Sequence, residues 1–213
     1  MYRITGESGF VGQNLKKRID LSPQSDNLVV FHLACDGDSR GSNKKLVEHT
    51  KNNLLLFTEV LEDSIGKGLK RFIYISSSEA ETEHNVYSIE KRACEKLLVV
   101  MAKEYGFEYV IVRPYTLFGE EMNIGDKNRN VIANFIKKTI LGEPIEIIGD
   151  IKATRQFTYI GQLIDVLEDC ITNHTNETVT VTSGIETSVE DLDYMIKNLY
   201  KTIKWVGGKI KNE

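Results

Sequence analysis

Glycines stand at positions 6, 9 and 12, inside the run TGESGFVG that spans residues 5–12. They follow the first apolar stretch, residues 2–5. They precede an amphipathic stretch, residues 11–19, in which Val11, Leu15 and Ile19 share one helical face. Such a loop limits the fold strongly, because glycine accepts positive φ at no steric cost and lets other backbone come close. Between a strand and a helix it aims free N–H groups and the positive end of the helix dipole at one point, where a pyrophosphate fits. In that arrangement Gly6 makes the tight turn, Gly9 allows close approach of a ligand, and Gly12 lets the helix pack on the sheet. A glycine-rich turn with no ligand has the same spacing, so the triplet needs support from elsewhere in the chain.

The rest of the first half supplies a rhythm. Residues 28–33 (LVVFHL) form a β-rich apolar run, and residues 46–61 read as a helix. A strand is expected at 71–75 (RFIYI), a long helix at 86–105 closed by Gly106, and a strand at 109–112 stopped by Pro114. Strands alternating with helices predict an α/β fold: a Rossmann-like, doubly wound parallel sheet with helices on both faces. Beyond Pro114 the pattern changes. A polar loop at 119–130 leads to a helix at 131–141, ended by Gly142. Short strands are expected at 146–148 and 156–159, helices at 162–171 and 189–200, and a β-like segment at 178–181. The expected division is a core at residues 1–115 and a small lobe at 116–213, interwoven as one compact unit.

Composition excludes several classes. A length of 213 residues allows one sizeable core. A net charge of -4, with no dense Lys/Arg run, argues against a general nucleic-acid partner. No apolar run approaches the ~20 residues that span a bilayer, so no membrane partner is expected. Cys35, Cys94 and Cys170 are scattered without disulfide or zinc spacing, and the first residues do not form a secretion signal. Reduced thiols in a cytoplasmic protein are the expectation. His32, His49, His84 and His174 lack ligand spacing, so no metal is expected.

A second motif, Tyr87-Ser-Ile-Glu-Lys91, places a phenol and an ammonium four residues apart on one helical face. A nearby ammonium favours tyrosinate and would lower the phenol pKa, so the tyrosine could act as general acid or base. A solvated helix face has the same spacing and no chemistry. Just upstream, the strand at 71–75 runs into Ser76, Ser77 and Ser78. Hydroxyls at the carboxyl end of a parallel strand lie where open α/β sheets bind ligands, although serines also serve as helix caps.

Taken in order, these motifs resemble the extended short-chain dehydrogenases/reductases, and within them the NAD-dependent epimerase/dehydratase family that modifies nucleotide sugars. TGESGFVG is similar to the family's TGxxGFxG. VVFHLAC (29–35) is similar to its strand ending in His-Leu-Ala-Ala, and VIVRPYTLFGE (110–120) to its Arg-Pro segment. RQFTYIGQLIDVL (155–167) is similar to a stretch of its substrate lobe, and Asn53 falls at a family asparagine. The resemblance implies Tyr87 as acid/base, Lys91 as holder of the nicotinamide ribose, and Ser78 as the hydroxyl that orients substrate, with Ser77 the less favoured choice. It implies a cofactor, NAD or NADP, lined by Gly6, Gly9, Phe10, Val11, Gly12, Leu33, Ala34, Asn53, Ser76, Lys91 and Pro114. Asn130 and Arg155 would meet the diphosphate of a nucleotide sugar. The family also implies a homodimer through the helix that carries Tyr87 and Lys91.

The chain departs from the family in one place above all. Only 15 residues separate Gly12 from Leu28, where a full dinucleotide fold has two more strands and a helix. Asp20 and Asp26 lie in this stretch, but no apolar strand carries them to the adenosine ribose. Lys16, Lys17 and Arg18 could face a 2′-phosphate or simply solvent. The expected function is hydride transfer at a sugar carbon by an epimerase, dehydratase or reductase. The spacing of nine from Ser78 to Tyr87 resembles the family's capsular-polysaccharide-type reductases. The alternative is a non-catalytic nucleotide-binding or regulatory protein on a trimmed fold.

Overall fold

The computed structural model describes residues 1–19, 27–39, 41–125, 130–147 and 149–210, without the side chains of 204–210. The chain divides into two compact units, Met1–Glu121 with Thr158–Val181, and Met122–Phe157 with Thr182–Glu213.

The first unit is built on strands β1 (Tyr2–Thr5), β2 (Leu28–His32), β3 (Leu69–Ile75) and β4 (Glu108–Pro114). With β7 (Glu177–Val181) they make one sheet in the order β1-β2-β3-β4-β7, parallel throughout. Side chains alternate across a strand, so neighbours in β3 serve opposite faces. Ile73 joins Leu15, Phe31, Val110, Val112, Leu163 and Leu167 in one core. Phe72 and Tyr74 join Val30, Phe57, Leu61, Leu98 and Ile111 in the other. This two-sided burial explains why β3 reads as an almost unbroken apolar run.

Helix α1 (Phe10–Lys16) packs against the first core with Leu15 and the partly buried Phe10 and Val11. The helix expected at 46–61 runs on to Gly66 and has three parts: α2 (Leu46–Thr50), a π turn (Lys51–Leu55) and α3 (Leu56–Gly66). Helix α4 (Val86–Tyr105) opens on a capping box between Asn85 and Ser88 and closes at Gly106, whose φ is 71°. Helix α6 (Ile160–Asp169) lays Ile160, Leu163, Ile164 and Leu167 on the first core.

Two buried guanidinium groups tie these elements together. Arg71 donates to Glu108 at 2.9 and 2.5 Å, to the Cys170 carbonyl at 2.6 Å and to the Thr175 hydroxyl at 3.1 Å. Arg113 donates to Glu95 at 2.8 and 2.6 Å and also pairs with Glu81.

In the second unit Asn130 caps α5 (Val131–Leu141), accepting from the Ile132 N–H at 2.9 Å. The first residues of β6 (Thr154–Tyr159) pair antiparallel with β8 (Glu186–Ser188), and α5 packs on α7 (Val189–Ile210).

Several expectations need correcting. The boundary does not fall at 115/116. Thr158–Val181 returns to the first unit, because β7 pairs with β4 and the apolar face of α6 belongs to the first core. Pro114 does not stop β4 short but is its last residue, where a missing N–H is tolerated. Glu146 and Ile147 are not in a strand, and Ile148 lies outside the described residues, as do Asp20 and Asp26. Two three-residue strands, β5 (Thr116–Phe118) and β8, escaped the pattern. Among the described residues no helix is long and apolar enough to cross a membrane, and no three acidic, His or Cys side chains group as metal ligands.

Candidate active site

The glycine loop closes through a Gly9 N–H to Gly6 carbonyl bond of 3.0 Å. Gly6 has φ 74°, and a Cβ there would lie 2.7 Å from the Ala34 nitrogen. The first glycine is therefore fixed both by its turn and by contact with the backbone that leaves β2. A Cβ on Gly12 would lie 2.2 Å from the Gly6 carbonyl oxygen and 2.6 Å from the Glu7 Cα. Gly12 thus lets the helix pack on the loop itself, rather than on the sheet as the spacing suggested. Gly9 differs, since a Cβ there would meet only the Gly6 oxygen, at 3.2 Å. Gly9 also begins α1 in extended geometry with no side-chain cap, so the first N–H groups of the helix are not taken by a side chain.

Across the loop, β2 ends in His32, whose Nδ1 lies 2.9 Å from the Thr5 hydroxyl. Burial, with Lys91 and Arg3 adding to it, depresses the His32 pKa from 6.5 to about 3. Leu33 and Ala34 follow beside Gly6. Asn53 lies in the π turn and is buried. Its oxygen accepts from the Asp36 N–H at 2.7 Å, and its amide donates to the Asp36 carbonyl at 3.3 Å. The amide also reaches Glu90 at 3.1 Å. Asn53 therefore holds the loop after β2 in place; its side chain is engaged within the protein rather than offered to a ligand.

The three serines separate at the end of β3. Ser76 is buried and donates to Glu95 at 2.6 Å, which commits its hydroxyl to the Glu95–Arg113 pair rather than to a cofactor. Burial alone would raise the Glu95 pKa, but hydrogen bonds from Arg113, Ser76 and Arg92 outweigh it and hold the carboxylate below its usual range. Ser77 is extended and accepts from the Glu79 N–H at 3.1 Å. Its hydroxyl also acts on the Tyr87 phenol, favouring the phenolate against burial. Ser78 opens the 3-10 turn Ser78–Glu81. The hydroxyl brought to Tyr87 is thus Ser77, one residue earlier than the motif implied.

Tyr87 and Lys91 lie on one face of α4, as their spacing required. The Lys91 ammonium is buried, donates to the carbonyl of Ile75 at 2.7 Å, and lies 4.9 Å from the centre of the Tyr74 ring and 5.7 Å from that of Tyr87. A strand-end carbonyl and two aromatic faces thus replace its water. Burial pushes the Tyr87 phenol above its ordinary pKa, with Cys35 and Glu79 adding to the rise and the Ser77 hydroxyl opposing it. The expected lowering by Lys91 does not prevail, because the ammonium lies over the rings. At neutral pH the phenol therefore keeps its proton and is set up as a donor.

Pro114, at the end of β4, is buried and faces Val181 across the sheet. Asn130 and Arg155 belong to the second unit, Asn130 as the cap of α5 and Arg155 exposed in β6 opposite Thr187. Lys16, Lys17 and Arg18 all have acidic partners: Glu7 for Lys16, Glu121 for Lys17, and Asp165 and Glu168 for Arg18. Glu7, Ser8, Gln13, Lys16 and Lys17 line an open cavity of about 400 Å³.

Sequence reasoning passed over two residues beside Tyr87. His49 and Glu90 are both buried and meet at 2.7 Å, and the His49 ring stands edge-on to Tyr87 with centres 6.1 Å apart. Only the i,i+3 spacing of Tyr87 and Glu90 hinted at this.

A parallel α/β sheet with helices packed on both faces and a glycine loop after its first strand define the class: a Rossmann-like protein of the short-chain dehydrogenase/reductase type. The family model described as the NAD dependent epimerase/dehydratase family matches residues 24–181, and the chain belongs to that family. The glycine loop lies just ahead of the matched residues. UDP-glucose 4-epimerase of Vibrio cholerae is 25% identical over 89% of this chain and 72% of its own length. The fold superposes on UDP-N-acetylglucosamine 4-epimerase from Methanobrevibacter ruminantium, in complex with UDP-N-acetylmuramic acid, with a TM-score of 0.84, 21% identity, and coverage of 94% of this chain and 82% of that one. For the Thermus thermophilus UDP-glucose 4-epimerase complex with NAD the TM-score is 0.81, at 18% identity and with coverage of 92% and 82%.

Proposed function

We propose that this chain binds NAD or NADP and changes a nucleotide sugar at one carbon by reversible oxidation, as an epimerase, dehydratase or reductase. The observation that carries the reading is the grouping of Tyr87 and Lys91 at the carboxyl end of β3, with the ammonium across the phenol ring and held by the Ile75 carbonyl, and with the Ser77 hydroxyl acting on the phenol.

The glycine loop fits the pyrophosphate half of a dinucleotide. Packing forbids a side chain at Gly6 and Gly12, whereas at Gly9 the only close neighbour is one oxygen of the loop, so glycine there suits the approach of a ligand. Gly6, Gly9, Phe10 and Val11 would hold that half, Leu33 and Ala34 would border it, and Lys91 would hold the nicotinamide ribose. The dinucleotide, when bound, supplies the hydride-transfer chemistry. The residues of the chain do the rest. Tyr87 gives or takes the proton of the sugar hydroxyl or ketone, Ser77 orients that oxygen, and Lys91 supplies positive charge that favours the phenolate as it forms. Asn130 and Arg155 would meet the diphosphate of the substrate, a guanidinium being suited to paired phosphate bonds.

We further infer a homodimer through α4. Ile89, Leu97 and Val100 are exposed on one side of this helix, and Leu46, Val47 and Leu55 are exposed on the segment that packs against it. One observation favours the non-catalytic reading instead: among the described residues β1 is the edge of the sheet, where the adenosine half of a dinucleotide site would need further strands.

The test is titration with NADH and NADPH, followed by nicotinamide fluorescence, and then incubation with NAD and UDP-glucose or UDP-N-acetylglucosamine. Micromolar binding with conversion of either sugar supports the enzyme. No binding up to millimolar cofactor overturns it in favour of the trimmed, non-catalytic protein.

A further inference from the structure

Behind Tyr87 lies a closed polar cluster in which His49, Thr50 and Glu90, none of them in the motifs above, gather with Asn53. Glu90, one turn further along α4, accepts from the Thr50 hydroxyl at 2.7 Å and from the Asn53 amide at 3.1 Å, and its Oε2 lies 2.7 Å from His49 Nδ1. Three residues of one helical segment, His49, Thr50 and Asn53, thus converge on a carboxylate 37–41 positions further along the chain. The π turn Lys51–Leu55 sits within this group, and single π turns recur at functional sites.

His49 Nδ1 meets both the Glu90 carboxylate, at 2.7 Å, and the Asn53 amide nitrogen, at 2.9 Å, so the polar contacts of the ring gather at this one nitrogen. His49 Nε2 is buried with no hydrogen-bond partner among the described residues. An unpaired buried polar atom costs about 1–3 kcal/mol. A buried charge cluster is also commonly no more stable than apolar residues of the same volume. Stability alone would therefore favour Leu or Met here. The cluster does, however, join two parts of the site. At one end Asn53 grips both backbone groups of Asp36, in the loop that passes Gly6. At the other end the His49 ring lies edge-on to Tyr87, with its plane at 82°.

We propose that His49, Glu90 and Asn53 form a positioning device that fixes the Tyr87 phenol relative to the cofactor loop, at a cost in stability. The inference rests on the proposed enzymatic function. Glu90 anchors the turn of α4 that bears Tyr87, His49 sets the ring from the side, and Asn53 ties both to Asp36. None of the three need touch the sugar.

The experiment replaces the polar pair with apolar residues of similar size, His49→Leu with Glu90→Met, and measures three quantities on the full chain. They are the thermal midpoint, the NADH affinity by fluorescence, and the turnover of whichever of UDP-glucose and UDP-N-acetylglucosamine the wild type converts. The expected result is a midpoint equal to or above wild type, an NADH affinity within about threefold, and turnover lowered at least about tenfold with KM little changed, since small misplacements of a reacting group are costly. A milder variant, Glu90→Gln, covers the case in which the double variant does not fold, and should also lose turnover ahead of stability. His49→Gln can still donate to Glu90 and should recover part of the rate that His49→Leu loses. Wild-type turnover in a folded variant overturns the proposal, and so does turnover that falls only in step with the folded fraction. If the wild type itself binds no cofactor and converts neither sugar, the proposed function fails, and this inference with it.

Discussion

Two adjacent serines divide the work at the end of β3. The Ser77 hydroxyl acts on the phenol while Ser78 starts the next turn, so the two should respond differently to truncation. Tyr87→Phe should abolish turnover and spare folding and NADH binding. Ser77→Ala should lower turnover by about 10²-fold, within the range usual for a positioned proton-handling partner, while Ser78→Ala stays within about threefold of wild type. Steady-state kinetics on the three variants decide this, and a larger loss at Ser78 would restore the motif's first choice. The difference was not legible in the sequence. Tyr87 and Lys91 were, because a spacing of four fixes their shared face wherever the helix lies. The serines follow a strand, and which one turns inward depends on the extended geometry of Ser77 and its bond to the Glu79 N–H. His49 and Glu90 were invisible for another reason, since they meet across 41 residues of chain.

His32 makes a prediction in pH. Its folded pKa of about 3 lies below the ordinary 6.5, so the unfolded chain takes up a proton that the folded chain refuses. Its contribution to stability is complete above pH 6.5 and is lost as pH falls towards 3, by up to about 1.4 kcal/mol per pH unit. Urea unfolding at several pH values should show this loss, and His32→Leu, which has nothing to protonate there, should show a shallower one.

Among the elements, α4 had the most readable limits, from the Asn85–Ser88 box at its start to Gly106 at its end. Strand β3 was equally plain, because burial on both faces leaves an apolar run. Strands β5 and β8 span three residues each, too few for any alternation to register. The interior partners of α4 were also hidden, since Glu95 reads as one more charge on an amphipathic helix. It is in fact the buried counter-ion of Arg113 and the acceptor of Ser76. Glu95→Leu should therefore cost ~3 kcal/mol of stability by leaving a guanidinium buried with only the exposed Glu81 beside it. Chemical denaturation measures this, and a loss below about 1 kcal/mol, the level of a surface pair, would mean that Arg113 finds water.

At the scale of the molecule, the exposed apolar side of α4 makes the assembly testable. Sedimentation should show a dimer, and Val100→Glu, at a position 63% exposed, should shift it to monomer while leaving the thermal midpoint of the dilute protein near wild type. A wild-type monomer at high concentration would exclude this face as the contact.

Among the described residues strand β1 ends the five-stranded sheet, and it pairs directly with β2. Affinity for a dinucleotide should then be unevenly shared along its length. In the proposed site the loop and Lys91 would hold the nicotinamide mononucleotide end, while the adenosine end would meet no further strand among the described residues. Reduced nicotinamide mononucleotide should bind within about threefold of NADH, and a 2′-phosphate should neither help nor hinder, each difference being worth less than ~0.7 kcal/mol. Calorimetry with the three ligands reads this directly. With the sheet ending at β1, half a coenzyme would serve nearly as well as a whole one, and the choice between NAD and NADP would be set by their supply rather than by the fold.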